Sequence, residues 1–244
     1  MFAEMVASAN GVVAWRRRDA TDDPVLAILG GDRAHPARVA DKLFMRYLRC
    51  FGDVAVGAET LRTQPELVLT PQQPGDEPLP ELFAFRERAG LARQPRNIVY
   101  SMHGHLPLGH RMFTTPGIHP LVVTTPAGGA EVRRRAGAGP PPPMIVDDLL
   151  EPAGLRRAHA RLFADFGVRY LDCEGGETLL VALRAAELLD EVFLTVTPHV
   201  VDAAAHEGVL QIFDFEAEGA RLIAEGRTAA DPAWRFRRWR FSER

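Results

Sequence analysis

Arg169-Tyr-Leu-Asp-Cys-Glu-Gly-Gly-Glu-Thr-Leu-Leu-Val-Ala-Leu183 is the stretch whose reading decides the fold. Its first five residues read as a short strand, Glu174-Gly-Gly176 as a turn, and the rest as a helix with Leu179, Leu180, Leu183 and Ala186 on its inner side. A strand that passes through a glycine turn straight into a helix is the unit of a parallel sheet covered by helices. The alternation continues outward in both directions. Further strands are expected at Phe2 to Ala7, Val54 to Gly57, Asn97 to Ser101, Leu121 to Thr124, Met144 to Val146 and Glu191 to Thr197. Helices are expected at Pro36 to Arg49, carrying Val39, Leu43, Met45, Tyr47 and Leu48, and at Leu155 to Phe166, carrying Ala158, Leu162, Phe163 and Phe166. Each is expected to cover a sheet face.

Two proline-rich stretches, Thr70 to Pro80 and Gly137 to Pro143, interrupt this pattern. Both are short and lie within one continuing alternation, so they read as surface loops, and residues 1–244 are expected to form one domain. Gly137-Ala-Gly139 is not a dinucleotide loop, because the four prolines that follow lack the N–H donors such a loop uses. The tail from Trp234 to Phe241 interleaves aromatic and basic residues. Trp234 and Phe236 share one strand parity and Trp239 and Phe241 the other, so a bulge near Arg237 and Arg238 would place all four aromatics on one buried face. The competing reading, a platform for single-stranded nucleic acid, is disfavoured by the formal net charge of −3.

Composition excludes several classes. With 46% hydrophobic and 25% charged residues the chain is of globular type, and no apolar run approaches the roughly 18 residues of a membrane span. No signal peptide is visible at the start, so a cytoplasmic location is expected, with neither membrane nor nucleic acid as partner. Cys50 and Cys173 lie far apart in apolar surroundings and read as core residues. His103-x-His105 and His110 sit in a Gly/Pro-rich segment with no carboxylate at ligand spacing, so no metal site is expected. Lys42 is the sole lysine, a bias toward arginine that suits a high-GC bacterial genome.

The chemistry is expected at Glu174-Gly175-Gly176. The glycines let backbone approach a ligand, and the first turn of the following helix points its N–H groups at an anion. Glu174 places a carboxylate at the carboxyl edge of the sheet, where α/β sites form. Either it orients a ligand or relays a proton, or it caps the helix that follows.

Glu-Gly-Gly-x-Thr-Leu179 followed by Leu188-Leu-Asp-Glu-Val-Phe-Leu-Thr-Val-Thr-Pro198 resembles the signature of the reductase domain of the riboflavin-pathway deaminase/reductase. Four further pieces come in the same order: Met5-Val-Ala-Ser-Ala-Asn-Gly11, Tyr47-Leu-Arg-Cys-Phe-Gly-Asp53, Val56-Gly-Ala-Glu-Thr-Leu-Arg62 and Val122-Val-Thr-Thr-Pro126. The resemblance implies a dihydrofolate-reductase-like, three-layer α/β fold: a mostly parallel twisted sheet, helices on both faces and an antiparallel C-terminal strand. It also implies NADPH as cofactor, a small heterocyclic substrate and pairing as a homodimer. The cofactor would lie against Ala7, Gly57, Thr60 and the turn Gly175, Gly176, Glu177, Thr178 and Leu179, with Thr124 and Thr125 near the adenosine 2′-phosphate. Substrate would meet Ser8, Asn10, Arg49 and Glu174, and Glu174 is the candidate catalytic group. Arg133 to Arg135 either add charge for the 2′-phosphate or form a solvated helix face. The implied reaction is reduction of a ribosylamino-pyrimidine phosphate at its sugar carbon.

Three departures bear on the substrate. Asn10 stands where the family usually has Asp. The segment Arg62-Thr-Gln-Pro-Glu-Leu-Val-Leu-Thr70 lacks the closing arginine that in the family faces the substrate phosphate, and these 244 residues carry no deaminase zinc motif, so reduction alone is expected of them. Dihydrofolate-type reduction and a non-catalytic NADPH-binding regulatory protein are therefore the alternatives.

Overall fold

The computed structural model describes residues 1–19, 22–73 and 75–241. In chain order the first elements are β1 (Phe2–Ala7), β2 (Val12–Ala14), α1 (Pro24–Ile28), α2 (Pro36–Leu48), β3 (Asp53–Gly57), α3 (Ala58–Thr63) and α4 (Pro80–Arg88). Then come β4 (Arg96–Ser101), α5 (Arg111–Thr114), β5 (His119–Thr124), α6 (Pro126–Ala136), β6 (Met144–Val146), α7 (Pro152–Phe166), β7 (Leu171–Cys173) and α8 (Glu177–Ala185). The last strands are β8 (Glu191–Val196), β9 (Leu210–Gln211), β10 (Ala220–Arg227) and β11 (Arg235–Phe241). The chain forms two compact units, one of Met1 with residues 46–188, the other of residues 2–45 and those from 189 on.

The first unit is built on five parallel strands in the order β7-β3-β4-β5-β6. Side chains alternate across a strand, so a sheet buried on both faces needs apolar residues at both parities. Ala55, Ile98, Leu121, Val123 and Ile145 pack against Leu155, Ala158 and Leu162 of α7, while Val54, Val56, Val99 and Val122 pack with Leu61 of α3 and Val132 of α6. These two clusters are the two faces of one sheet, covered by helices on each. Helix α7 starts with Pro152 at its first turn and stops at Gly167, which is left-handed at φ 68° and returns its N–H to the Phe163 carbonyl.

In the second unit β1 pairs in parallel with β8, β8 antiparallel with β11, and β11 antiparallel with β10, while β2 and β9 form a small separate ladder. The strands are thus mostly parallel with an antiparallel C-terminal edge, as expected. Val12, Trp15, Ile28 and Val201 form this unit's local core.

Several expectations about faces need correction. On α2 it is Val39, Leu43 and Tyr47 that point outward, at 53%, 37% and 44% exposure, whereas Ala37, Arg46 and Leu48 are buried. Arg46 goes inward because its guanidinium donates to the carbonyls of Pro71 and Glu77 at 2.8 and 2.9 Å. Phe163 of α7 is likewise exposed, since Leu155, Ala158 and Leu162 already fill the buried stripe. The C-terminal bulge is in β10, between Leu222 and Ala224, while β11 keeps an unbroken register with β8. The four tail aromatics therefore do not share a face. Trp239 stacks on Phe215, Phe236 meets Phe44 from α2, and Trp234, ahead of the strand, stacks on His35.

Inside the first unit the Tyr100 hydroxyl and His159 Nε2 lie 2.8 Å apart. Burial, reinforced by the chain's amino terminus, lowers the His159 pKa to about 4. Between that value and the ordinary 6.5, the unfolded chain binds a proton that the native state does not, so stability falls as pH falls through this window. Urea unfolding from pH 6.5 to 4.5 is expected to show His159 contributing about 1.4 kcal/mol of loss per pH unit. Replacement His159→Gln removes that share of the slope, and an unchanged slope would contradict the assignment.

Candidate active site

Strands of a parallel sheet release their chain toward ligand at the carboxyl edge, and in the first unit this edge carries Gly57, Thr124 and Glu174. Glu174 follows β7 and is tied to β3 by its N–H, which donates to the Ala55 carbonyl at 2.8 Å. Its two carboxylate oxygens accept from Arg49 Nε and Nη2 at 2.5 and 2.6 Å. The pair is bidentate and buried, the Arg49 side chain being 2% and that of Glu174 13% exposed. Arg49 Nη1 donates in addition to the Thr70 carbonyl at 3.1 Å. The sequence expectation placed both residues at the site; the structure joins them across 125 positions. Glu174 does not cap the next helix, since its carboxylate is turned to Arg49.

Helix α8 begins after Gly176 with no side-chain cap, so the N–H groups of its first turn are left without one. A Cβ on Gly176 would meet nothing within 4 Å, whereas one on Gly175 would strike Leu179 Cδ2 at 2.6 Å. A side chain at position 175 would thus have to displace that of Leu179, while Gly176 leaves open space in front of the helix. Gly57, ahead of α3, faces open space in the same way, with half-buried Thr60 in the turn behind it. Thr178 is exposed and Leu179 half-buried, while the Glu177 side chain lies outside the described residues.

The hydroxyls of Thr124 and Thr125 are already committed. A hydroxyl has a single proton to give. Thr124 Oγ1 gives it to the Ser101 carbonyl and Thr125 Oγ1 to the Met102 carbonyl, both at 2.6 Å, and Thr125 also caps α6 by accepting from Gly128 N–H at 3.0 Å. Arg134 and Arg135 both hold Glu131, whose pKa their hydrogen bonds lower to about 2. Arg133, exposed on the same helix, is outside that network. His110 uses Nε2 on the Gln64 carbonyl and Nδ1 on Met112 N–H.

Ala7, Ser8 and Asn10 belong to the second unit. Ala7 ends β1 and is buried. Ser8 Oγ donates to Asn10 Oδ1 at 2.8 Å and accepts from Val12 N–H at 2.9 Å; Asn10 exchanges two bonds with the Val201 backbone, at 2.9 and 3.1 Å. These side chains hold the turn between β1 and β2.

Sequence reasoning passed over Asp172. Two residues before Glu174 and on the same strand parity, it is fully buried, and neither carboxyl oxygen has a hydrogen-bond partner among the described residues. Its oxygen comes within 4.8 Å of one on Glu174. Burial, then the Glu174 charge, raises its pKa well above the ordinary 3.8, with Arg49 opposing. The signal was visible as a lone acid in a strand otherwise fit for the core.

A family model for the RibD C-terminal domain matches residues 5–230. The chain belongs to that family. Its members are riboflavin-pathway reductases, which places the chain among oxidoreductases. Among solved structures, a pyrimidine reductase-like protein from Corynebacterium diphtheriae is 17% identical, with a TM-score of 0.65, over 100% of this chain and 92% of that one. Acinetobacter baumannii RibD is 16% identical, with a TM-score of 0.63, over 99% of this chain and 57% of its own, so this chain spans little more than half of that protein. The riboflavin biosynthesis reductase Rib7 of Saccharomyces cerevisiae is 12% identical, with a TM-score of 0.58, over 99% and 89%. No curated protein sequence matches the chain. The fold shared with these structures is dihydrofolate-reductase-like.

Asp172 yields a test of the site's electrostatics. Above pH 3.8 and up to its raised native value, the folded state keeps a proton that the unfolded chain has lost, so stability falls as pH rises. Urea unfolding of Asp172→Asn across pH 4 to 7 is expected to lose this downward component, by about 1.4 kcal/mol per pH unit at most. Parallel pH profiles for variant and parent would contradict a protonated Asp172.

Proposed function

We propose that this protein is an NADPH-dependent reductase of a pyrimidine- or pterin-like heterocycle, acting like 5-amino-6-(5-phosphoribosylamino)uracil reductase. The observation that carries this reading is the buried Arg49–Glu174 pair directly before an uncapped helix whose Gly176 faces open space. A dinucleotide fits there: Gly176 and the first turn of α8 would meet its phosphates, with Gly57 and Thr60 beside the second open turn. Arg133 is the charge left for a 2′-phosphate, while Thr124 and Thr125 shape that end through backbone bonds rather than by donating their hydroxyls. Bound there, the nicotinamide supplies a hydride to the acceptor carbon.

Glu174 does its work as a hydrogen-bond acceptor. A carboxylate has about four lone-pair sites, and Arg49 occupies two, so Glu174 retains acceptor capacity for the N–H groups of an aminopyrimidine. With its orientation fixed by the fork, substrate is held in a single pose. Reduction of the open imine form adds a hydride to carbon and a proton to nitrogen. That proton would come from solvent at the edge of the site, with Glu174 orienting the nitrogen that receives it. Pairing of two chains belongs to the same reading.

A second reading of the substrate has its own observation. Arg49 is 2% exposed and turned to Glu174 and the Thr70 carbonyl, and Arg62 is bound to Glu59 at 2.8 Å and to the His105 carbonyl at 3.1 Å. Neither guanidinium is left to clamp a substrate phosphate, which favours a non-phosphorylated heterocycle. Consumption of NADPH should be measured with the ribosylamino-pyrimidine, with and without its 5′-phosphate, and with dihydrofolate. The expected result is turnover of the ribosylamino-pyrimidine with kcat/KM changed less than about tenfold by loss of the phosphate. A loss of more than about a hundredfold would remove the second reading; no NADPH consumption with any of the three, and no thermal stabilisation by NADPH, would remove the reductase assignment.

A further inference from the structure

The first unit has a cavity at the edge of its sheet opposite Glu174. Strands β3, β4, β5 and β7 start there, and the ends of α4 and α7 close it into a space of about 730 Å³. Small-molecule sites commonly have about 300–1,000 Å³. None of its lining residues belongs to the carboxyl edge around Glu174.

Its lining combines rings and positive charge. Phe51 and Phe85 meet edge to face at 5.3 Å, yet remain 47% and 36% exposed, and Tyr170 is 61% exposed. Three arginines line the space against one acid, Asp53. Arg86 is buried at 1% exposure, with Nε on the Ala92 carbonyl and Nη1 among the carbonyls of Arg49, Cys50 and Gly52, so it contributes charge more than contacts. Arg96 lies over the Phe166 ring at 5.3 Å, as a stacking surface for a flat molecule, and Arg169 is exposed at the mouth together with His119. Asp53 is turned into the wall, accepting from Arg96 N–H at 2.6 Å. Burial raises its pKa, against the opposing pull of Arg96, Arg86 and His119.

One polar atom asks for a ligand group. Gln94 Oε1 is buried in this wall with no hydrogen-bond partner among the described residues. An unmet buried acceptor costs about 1–3 kcal/mol, and an amino group on a heterocycle would satisfy it. Exposed rings accept a flat ring, Arg169 and His119 accept an anion, and Gln94 accepts an N–H.

From this combination we infer that the cavity binds a phosphorylated, amino-bearing aromatic heterocycle of mononucleotide size, at a site separate from the one proposed for reduction. Rings stack on aromatic side chains without regard to base identity, while guanidinium groups take the phosphate. Adenosine 5′-monophosphate carries all three features and serves as the probe, with adenosine and inorganic phosphate as its parts.

Isothermal titration of the full chain, with NADPH in excess so that an adenosine subsite for cofactor is filled, tests the proposal. The expected result is one adenosine monophosphate per chain, bound at least tenfold more tightly than adenosine or phosphate. Arg169→Ala and Tyr170→Ala, both at exposed positions, are each expected to weaken it tenfold or more with unchanged circular dichroism. Absence of binding at millimolar concentration overturns the proposal, as does equal affinity for phosphate alone, or binding that both variants leave intact. The two variants decide the cavity whether or not NADPH binds, so failure of the reductase reading does not mask the result.

Discussion

The arginine at position 49 is the constraint on which the first unit depends. A guanidinium 2% exposed cannot stand in the interior without compensation, because desolvating an ion costs several kcal/mol. Glu174 supplies the opposite charge in fork geometry and Thr70 a carbonyl, while Arg86 donates to the Arg49 carbonyl at 3.0 Å. The turn after α2, the loop at Thr70, the end of β7 and the end of α4 are thereby held by contacts to one residue. Burial raises what each bond is worth and what its loss would cost.

On the proposed function, this arrangement serves a binding edge as much as stability. Replacing a buried ion pair by apolar residues is often neutral or stabilising, so its presence is weak evidence of a stability role. What the pair does uniquely is fix a carboxylate at the point where β7 gives way to the glycine turn and α8. Asp172 beside it is the accompanying cost: a buried carboxyl with no hydrogen-bond partner among the described residues, its pKa raised by burial and by the Glu174 charge. A core selected for stability alone would have an apolar residue there.

How much of this was legible in the sequence follows from which interactions are local. Phe2 to Ala7 and Met144 to Val146 are legible to the residue because each is an apolar-rich run bounded by turn or proline residues, interrupted only by Glu4. Helix faces were harder. Arg46 and Arg49 carry long apolar stems and found carbonyls or a carboxylate inside, so the buried stripe of α2 runs through arginines that periodicity assigns to solvent. The tail failed for a related reason, as β11 lies between β8 and β10 with aromatics needed on both faces, and the bulge went to β10. Resemblance named Arg49 and Glu174 separately, but a contact 125 residues apart has no local signature. Likewise, nothing in Thr124-Thr125 shows that both hydroxyls turn back to backbone.

A double-mutant cycle across Arg49 and Glu174, measured by urea unfolding near neutral pH, tests the central claim most directly. Arg49→Met alone should cost about 3–5 kcal/mol, since it strands a buried carboxylate, and Glu174→Met alone should cost a similar amount. The double variant is then expected to be well short of their sum, with a coupling of at least about 1.5 kcal/mol. Additive losses within about 0.5 kcal/mol would show that the two groups do not depend on each other, and would contradict an active edge organised by their pairing.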